Sequence, residues 1–174
     1  KGVSVNQQNL GYFITEATSL YQICAEDRVL QFSSLSFDAC IEEIFPCLSV
    51  GGCLVIRSDN AVNSALGYWQ EIESKKITVS SLPTSFWRVI AQQFDNSAMS
   101  STCSLRLVIM GGEAADLESL VAWQQYTKGK VTLMNTYGPT ETTVITTAFD
   151  ATQYTNKLVL PIGLPLSHTQ AYVL

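Results

Sequence analysis

Apolar residues along the chain follow two alternating periods. Over residues 6–23, Leu10, Phe13, Ile14, Ala17, Leu20 and Tyr21 recur at helical spacing. A short strand is expected at 28–34, then a helix over 38–48 that should bury Ile41, Ile44, Phe45 and Leu48 and stop at Gly51-Gly52. Further strands are expected at 53–56, 77–82, 105–110 and 131–134, with helices at 65–76, 84–94 and 116–128 between them. After Thr143 the pattern turns β-rich, through 145–149 and again at 171–174, and the polar stretch 95–104 reads as a surface loop. Short apolar strands alternating with helices imply βαβ units, hence an α/β fold: a parallel, doubly wound sheet with flanking helices and a β-rich C-terminal end.

The 174 residues suffice for one domain with a sizeable core. A hydrophobic share of 47% against 14% charged argues against disorder and for apolar surface that more protein would cover. The net charge of -5 leaves no footprint for nucleic acid or for an anionic membrane. No apolar run is long enough to span a bilayer, and the first residues do not form a signal peptide. Cys24, Cys40, Cys47, Cys53 and Cys103 lack CxxC spacing, and His168 is the single histidine. The cysteines therefore read as reduced, mostly buried small hydrophobes of a cytoplasmic protein, and His168 as a structural or surface residue. Both ends read as cut: the chain opens without an initiator methionine and closes within a strand-like run.

In an open parallel sheet, ligands sit beyond the carboxyl ends of the strands, and the unusual residues gather there. Ser33-Ser34 with Phe37-Asp38 follow one strand, 81–84 a second, Gly111-Gly112-Glu113-Ala114 a third, and Asn135-Thr136-Tyr137-Gly138-Pro139-Thr140-Glu141 a fourth. In the last segment Tyr137 offers a flat stacking face, Gly138-Pro139 a fixed turn, Thr140 a hydroxyl for phosphate and Glu141 a carboxylate for a divalent cation. A Thr-rich turn with a capping glutamate accounts for the same composition equally well.

Asn-x-Tyr-Gly-Pro-Thr-Glu-x-Thr strongly resembles a core motif of the adenylate-forming superfamily, which includes acyl-CoA synthetases, firefly luciferase and the adenylation domains of peptide synthetases. Four further segments agree in order. Lys1-Gly2-Val3 resembles the end of the phosphate loop, and Phe37-Asp38-Ala39 with Glu43 the signature of amino-acid-activating members. The run ending Gly111-Gly112-Glu113-Ala114 resembles the adenine-holding strand and turn, and Ile162-Gly163-Leu164-Pro165-Leu166 the Gly-x-Pro segment. The wording is also similar to that of cyanobacterial peptide synthetases, including those that make anabaenopeptins.

The resemblance implies that residues 1–174 are a segment of the large N-terminal domain of an adenylating enzyme, lacking the start of the phosphate loop and the C-terminal subdomain. It implies ATP and Mg²⁺ as cofactors, with Thr140 at the α-phosphate, Glu141 on the metal and Tyr137 on the adenine. Lys1, Gly111, Gly112, Glu113, Ala114, Asn135, Thr136 and Gly138 would complete the nucleotide site, largely through backbone. Asp38 would receive the substrate's α-ammonium, and Ala39, Glu42, Ser81, Val108, Met110, Thr136, Val144 and Ile145 would line the side-chain pocket. Glu42, four residues after Asp38 and on the same helical face, points to a cationic amino acid, arginine ahead of lysine or ornithine, with tyrosine second. The expected partners are the amino acid, the rest of the adenylation domain and a carrier protein with its phosphopantetheine arm. Two other readings stay open: an acyl- or aryl-CoA synthetase, against which Asp38 speaks, and a non-catalytic nucleotide-binding module, against which Thr140 and Glu141 speak.

Overall fold

A computed structural model describes residues 2–93, 103–156 and 159–172. Seven strands form one sheet in the order β2-β1-β3-β4-β5-β6-β7. The first five, β1 (Arg28–Gln31), β2 (Cys53–Ile56), β3 (Val79–Pro83), β4 (Leu107–Gly111) and β5 (Thr132–Tyr137), run parallel. The last two extend that edge: β6 (Thr147–Asp150) pairs antiparallel with β5, and β7 (Leu164–Pro165) antiparallel with β6.

Strand residues alternate between two cores, because successive side chains leave a strand on opposite faces. Leu30, Leu82, Val108, Met110 and Leu133 pack on one face against α4 (Ala65–Ser74), α5 (Thr84–Gln92) and α6 (Leu117–Thr127), whose Trp69, Trp87 and Trp123 are buried there. Val29, Val79, Leu107, Ile109 and Met134 face α1 (Gln7–Leu20) and α2 (Ala39–Ser49) on the other. The sheet is thus doubly wound, as expected.

The helix starts carry their own signals. Asn6, Ser64 and Asp116 each cap a helix by accepting from the backbone N–H three residues on. Arg106 joins α1 to the sheet. Its guanidinium donates to both carboxylate oxygens of Asp27 (2.9 and 2.6 Å) and to the carbonyls of Tyr21 (3.1 Å) and Gln22 (2.9 Å). These bonds, with those from Thr78 and the Cys24 N–H, outweigh burial and hold the Asp27 carboxyl at about 2.

Several expectations need correction. Phe45 and Leu48 are exposed at 38% and 54%, while Glu42 and Glu43 of the same helix are buried. The face of α2 that meets the sheet is the one carrying the glutamates, because both find donors at the strand ends. Cys40 and Cys47 are buried and Cys103 is half-buried, but Cys24 and Cys53 are exposed, so the cysteines are not mostly interior. Short helix α3 (Asn60–Asn63) and strand β7 had no clear signal in the pattern. Residues 171–172 form no strand, and 173–174, like most of the loop 95–104, lie outside the described residues. Among the described residues no helix is long and apolar enough to cross a membrane.

Candidate functional site

A cavity of about 560 Å³ opens where β1, β3, β4 and β5 end. Asp38, Ala39 and Glu42 from the start of α2, Ser81 from β3 and Thr136 from β5 line it, with Val144 and Ile145 closing the far side. Sequence reasoning gathered the same seven. Gly111, Gly112, Glu113 and Gly138 form its rim.

Val108 and Met110 do not belong there. Both are fully buried among the tryptophans on the opposite face of the sheet. The register shows why: Ser81 pairs with Ile109 and Thr136 with Gly111, and in a ladder the partners point the same way. Ile109 and Gly111 therefore face the side that sequence reasoning gave to their neighbours, one residue out of step, and of the two Gly111 lines the cavity. Gly111 leaves room that a side chain would take, since a Cβ there would lie 2.8 Å from Thr136 Oγ1. Thr136 itself donates to the Met110 carbonyl (3.1 Å), and Thr84 ties the turn after β4 by donating to the Gly111 carbonyl (3.0 Å).

Asp38 stands at the N-cap position of α2 yet makes no capping hydrogen bond. Its Oδ2 is buried, and among the described residues no donor reaches it. An orphaned carboxylate oxygen is costly unless a ligand donates to it. Helix capping therefore does not account for this residue. Glu42, 6% exposed, is by contrast partnered: Tyr21 Oη donates to Oε1 (2.5 Å) and Ser81 Oγ to Oε2 (3.0 Å). Burial pushes its carboxyl up, Tyr21 and Ser81 pull it down, and the charge of Asp38 adds to the rise. Tyr21 was missed, because nothing local in the sequence links it to a residue on the next helix. Arg57 also lines the cavity, but it is engaged: Nε donates to the Phe32 carbonyl (2.7 Å), with Asp59 at 3.9 Å.

Glu43 turns away from the cavity and holds its wall. It accepts from the Ser33 N–H through both oxygens (3.0 and 3.2 Å) and from the Gln31 amide (3.2 Å), and burial raises its carboxyl to about 7 despite these bonds. The chain after β1, which leads to Asp38, is fixed by this carboxylate.

The segment after β5 makes a tight reversal. A 3-10 turn over Thr140–Thr142 leads into Thr143 and Val144, both with positive φ (69° and 67°). Such φ is strained for a β-branched residue. It is held by Ile145 N–H to Thr143 O (2.9 Å) and Thr146 N–H to Tyr137 O (2.7 Å). The strain aims Val144 and Ile145 into the cavity. Thr140 lines an adjoining pocket of about 470 Å³ that shares Asp38 and Val144 with the main one. Glu141, exposed, borders a third cleft with Glu16 and His168. Tyr137 is half exposed, and Ala114 lies exposed on the turn after β4. The Asn135 side chain is committed to the Pro161 carbonyl (2.7 Å). Lys1 lies outside the described residues. His168 is a surface residue stacked on Tyr12, with centroids 5.2 Å apart.

No group of three metal-ligating side chains occurs among the described residues. A magnesium ion does not need one: it keeps several waters and takes one or two carboxylates plus substrate phosphates. Glu141, on the exposed turn after Thr140 but bordering a different cleft, could supply one such carboxylate.

A doubly wound sheet with its cavity beyond the strand ends, rimmed by two glycine-containing turns, defines an α/β protein with its ligand site where open sheets of this kind place it. The AMP-binding enzyme family matches residues 1–174, and the chain belongs to it. It is 38% identical over 99% of its length to the isonitrile lipopeptide synthase of Streptomyces coeruleorubidus and 34% over 99% to gramicidin S synthase 1 of Brevibacillus brevis. It spans 12% and 14% of those two proteins. Among solved structures it resembles the Vibrio cholerae adenylation domain AlmE in complex with glycyl-adenosine-5'-phosphate, with a TM-score of 0.80 and 29% identity over 94% of this chain and 30% of that one.

Proposed function

We propose that the chain is the central segment of an adenylation domain in a nonribosomal peptide synthetase, forming an amino-acid pocket and part of the ATP site. The reaction is attack of the amino acid's carboxylate on the α-phosphorus of ATP, giving aminoacyl-AMP and pyrophosphate. The thiol of a carrier protein's phosphopantetheine then attacks the aminoacyl carbonyl, forming a thioester and releasing AMP. The observation that carries this reading is the buried, partnerless Oδ2 of Asp38 in a cavity of amino-acid size. An α-ammonium supplies the missing donors, whereas a plain fatty or aryl acid leaves the carboxylate unpaired. Kinship with two peptide synthetases supports the same choice.

Protein groups do little covalent work in such a reaction; positioning and charge neutralisation dominate. Asp38 orients the amino acid by its ammonium, and Ala39, Thr136, Val144 and Ile145 shape the side-chain space. The turn at Gly111-Gly112 lets a nucleotide approach the backbone, Tyr137 offers a stacking face and Thr140 a hydroxyl to phosphate. Glu141 would hold Mg²⁺, which neutralises the charge developing on the phosphates. Glu42 sets the side-chain preference. A buried carboxylate already holding two hydroxyl donors is best completed by a cation, so arginine, lysine or ornithine is the proposed substrate, with tyrosine second.

The test is ATP–pyrophosphate exchange by the complete adenylation domain across the common amino acids. Cationic ones should lead, and Asp38→Asn should lower exchange on the order of a hundredfold for every amino acid. Its melting temperature should not fall, since the native oxygen has no partner to lose. Full exchange by Asp38→Asn, or activation of simple carboxylic acids in preference to amino acids, would contradict the reading.

A further inference from the structure

The residue that brings Glu42 to its task sits outside the cavity lining. Tyr21 is the C-cap of α1, 2% exposed, and its main chain is pinned by Arg106 through the carbonyl hydrogen bond. From there its hydroxyl reaches across to Glu42 Oε1 at 2.5 Å, while Ser81 takes Oε2. We propose that Tyr21 is a positioning residue for substrate selection, acting through Glu42: its hydroxyl fixes the carboxylate's plane and stabilises its ionised form, so that the remaining lone pairs meet a cationic side chain.

The inference rests on the reading of Glu42 as the cation partner. The physical argument is that an ionised carboxylate removed from water needs donors to stay charged. The groups facing Glu42 are few. α1 contributes Tyr21, β3 contributes Ser81, and Asp38 on the same helix opposes the charge. Gln31 of β1 turns to Glu43 instead, and β2 presents only the exposed thiol of Cys53 as a titratable group. Removing the Tyr21 hydroxyl therefore leaves one side-chain donor against burial and a neighbouring negative charge. Glu42 then takes up a proton at higher pH, and a protonated Glu42 no longer attracts a cation.

The experiment measures exchange kinetics of the complete domain against pH, with Tyr21→Phe, Glu42→Gln and the double variant. Tyr21→Phe should raise KM for the preferred cationic amino acid about tenfold, the size of one charge-assisted hydrogen bond. It should leave kcat and the KM for leucine unchanged. The pH below which KM climbs should move up, and adding Tyr21→Phe to Glu42→Gln should change nothing further. Should Tyr21→Phe fold poorly, fluorotyrosine at position 21, a stronger donor of nearly the same shape, should move that pH down. An unchanged KM and pH profile in Tyr21→Phe beside a raised cationic KM in Glu42→Gln overturns the role of Tyr21 alone. Equal losses for leucine and the cationic substrate reduce Tyr21 to a packing residue. Unchanged selectivity in Glu42→Gln overturns the reading of Glu42, and the inference with it.

Discussion

Two adjacent glutamates at the start of α2 are buried for different purposes. Glu42 points into the cavity and is held between Tyr21 and Ser81; Glu43 points to the chain after β1 and holds the Ser33 N–H. Glu43 makes a prediction about pH. Its carboxyl lies at about 7 in the folded protein against an ordinary 4.5, so between these values the folded state keeps a proton that the unfolded state has lost. Its stabilising contribution is therefore complete below the ordinary value and declines as pH rises through the folded one. A gap of that size corresponds to roughly 3 kcal/mol. Glu43→Gln, which imitates the protonated form, should flatten this decline, giving a domain more stable than the parent at pH 8 and no different at pH 4. Urea titrations at the two pH values decide it; parallel slopes for parent and variant would rule the effect out.

The element that most shapes the cavity is the reversal between β5 and β6. Sequence reading found the motif here but took its glycine as one half of a Gly-Pro turn. The structure gives a further reason: a Cβ on Gly138 would stand 2.5 Å from the Ile145 Cα and 2.7 Å from the Thr146 nitrogen. That close approach brings the strained pair Thr143-Val144 and then Ile145 to the cavity, which Val144 and Ile145 line. Gly138→Ala must push this segment outward, against the hydrogen bond from Thr146 N–H to Tyr137 O. Destabilisation of about 1–3 kcal/mol is expected from such overpacking, with amino-acid KM raised more than tenfold because the cavity loses its far wall. A variant with native melting temperature and native KM would show that the approach is not needed. The sheet register is the other lesson at this scale. Strand existence was plain from apolar runs, but which alternate residues face α1 and α2 was not. A buried parallel strand such as Leu107–Gly111 is apolar on both faces, so its periodicity carries no parity. Val108 and Met110 were misplaced for that reason.

Across the whole molecule, the two faces of the sheet divide the labour. One is a closed aromatic core in which Trp123 lies 6.3 Å from both Trp69 and Trp87, ring centre to ring centre. The other carries α1 and α2, and the cavity lies at the strand ends, lined chiefly from α2 but also by Phe32 and Leu82 of the first core. A substitution on the first face at a residue that does not line the cavity, such as Trp123, should alter stability and leave selectivity alone. Trp123→Ala is expected to lower the unfolding free energy by about 3–5 kcal/mol, while the ratio of exchange rates among amino acids stays that of the parent. Denaturant unfolding followed by exchange assays at a temperature where the variant remains folded checks both halves. A changed substrate ratio would mean that the two cores are coupled through the sheet.

The sequence by itself determined the order of elements and the α/β class, because periodicity, caps and turn residues are local properties of the chain, and its motifs carried the family resemblance that implied seven of the cavity's side chains. Tertiary structure alone decided the rest. It placed Tyr21 on Glu42 across a gap of twenty-one positions, turned α2 so that glutamates rather than Phe45 and Leu48 face inward, and set Ile109 and Gly111 beside Ser81 and Thr136. Each of these depends on which strand and helix lie next to one another, and on the energy of leaving a buried carboxylate without a donor. Neither is written in any single stretch of the chain.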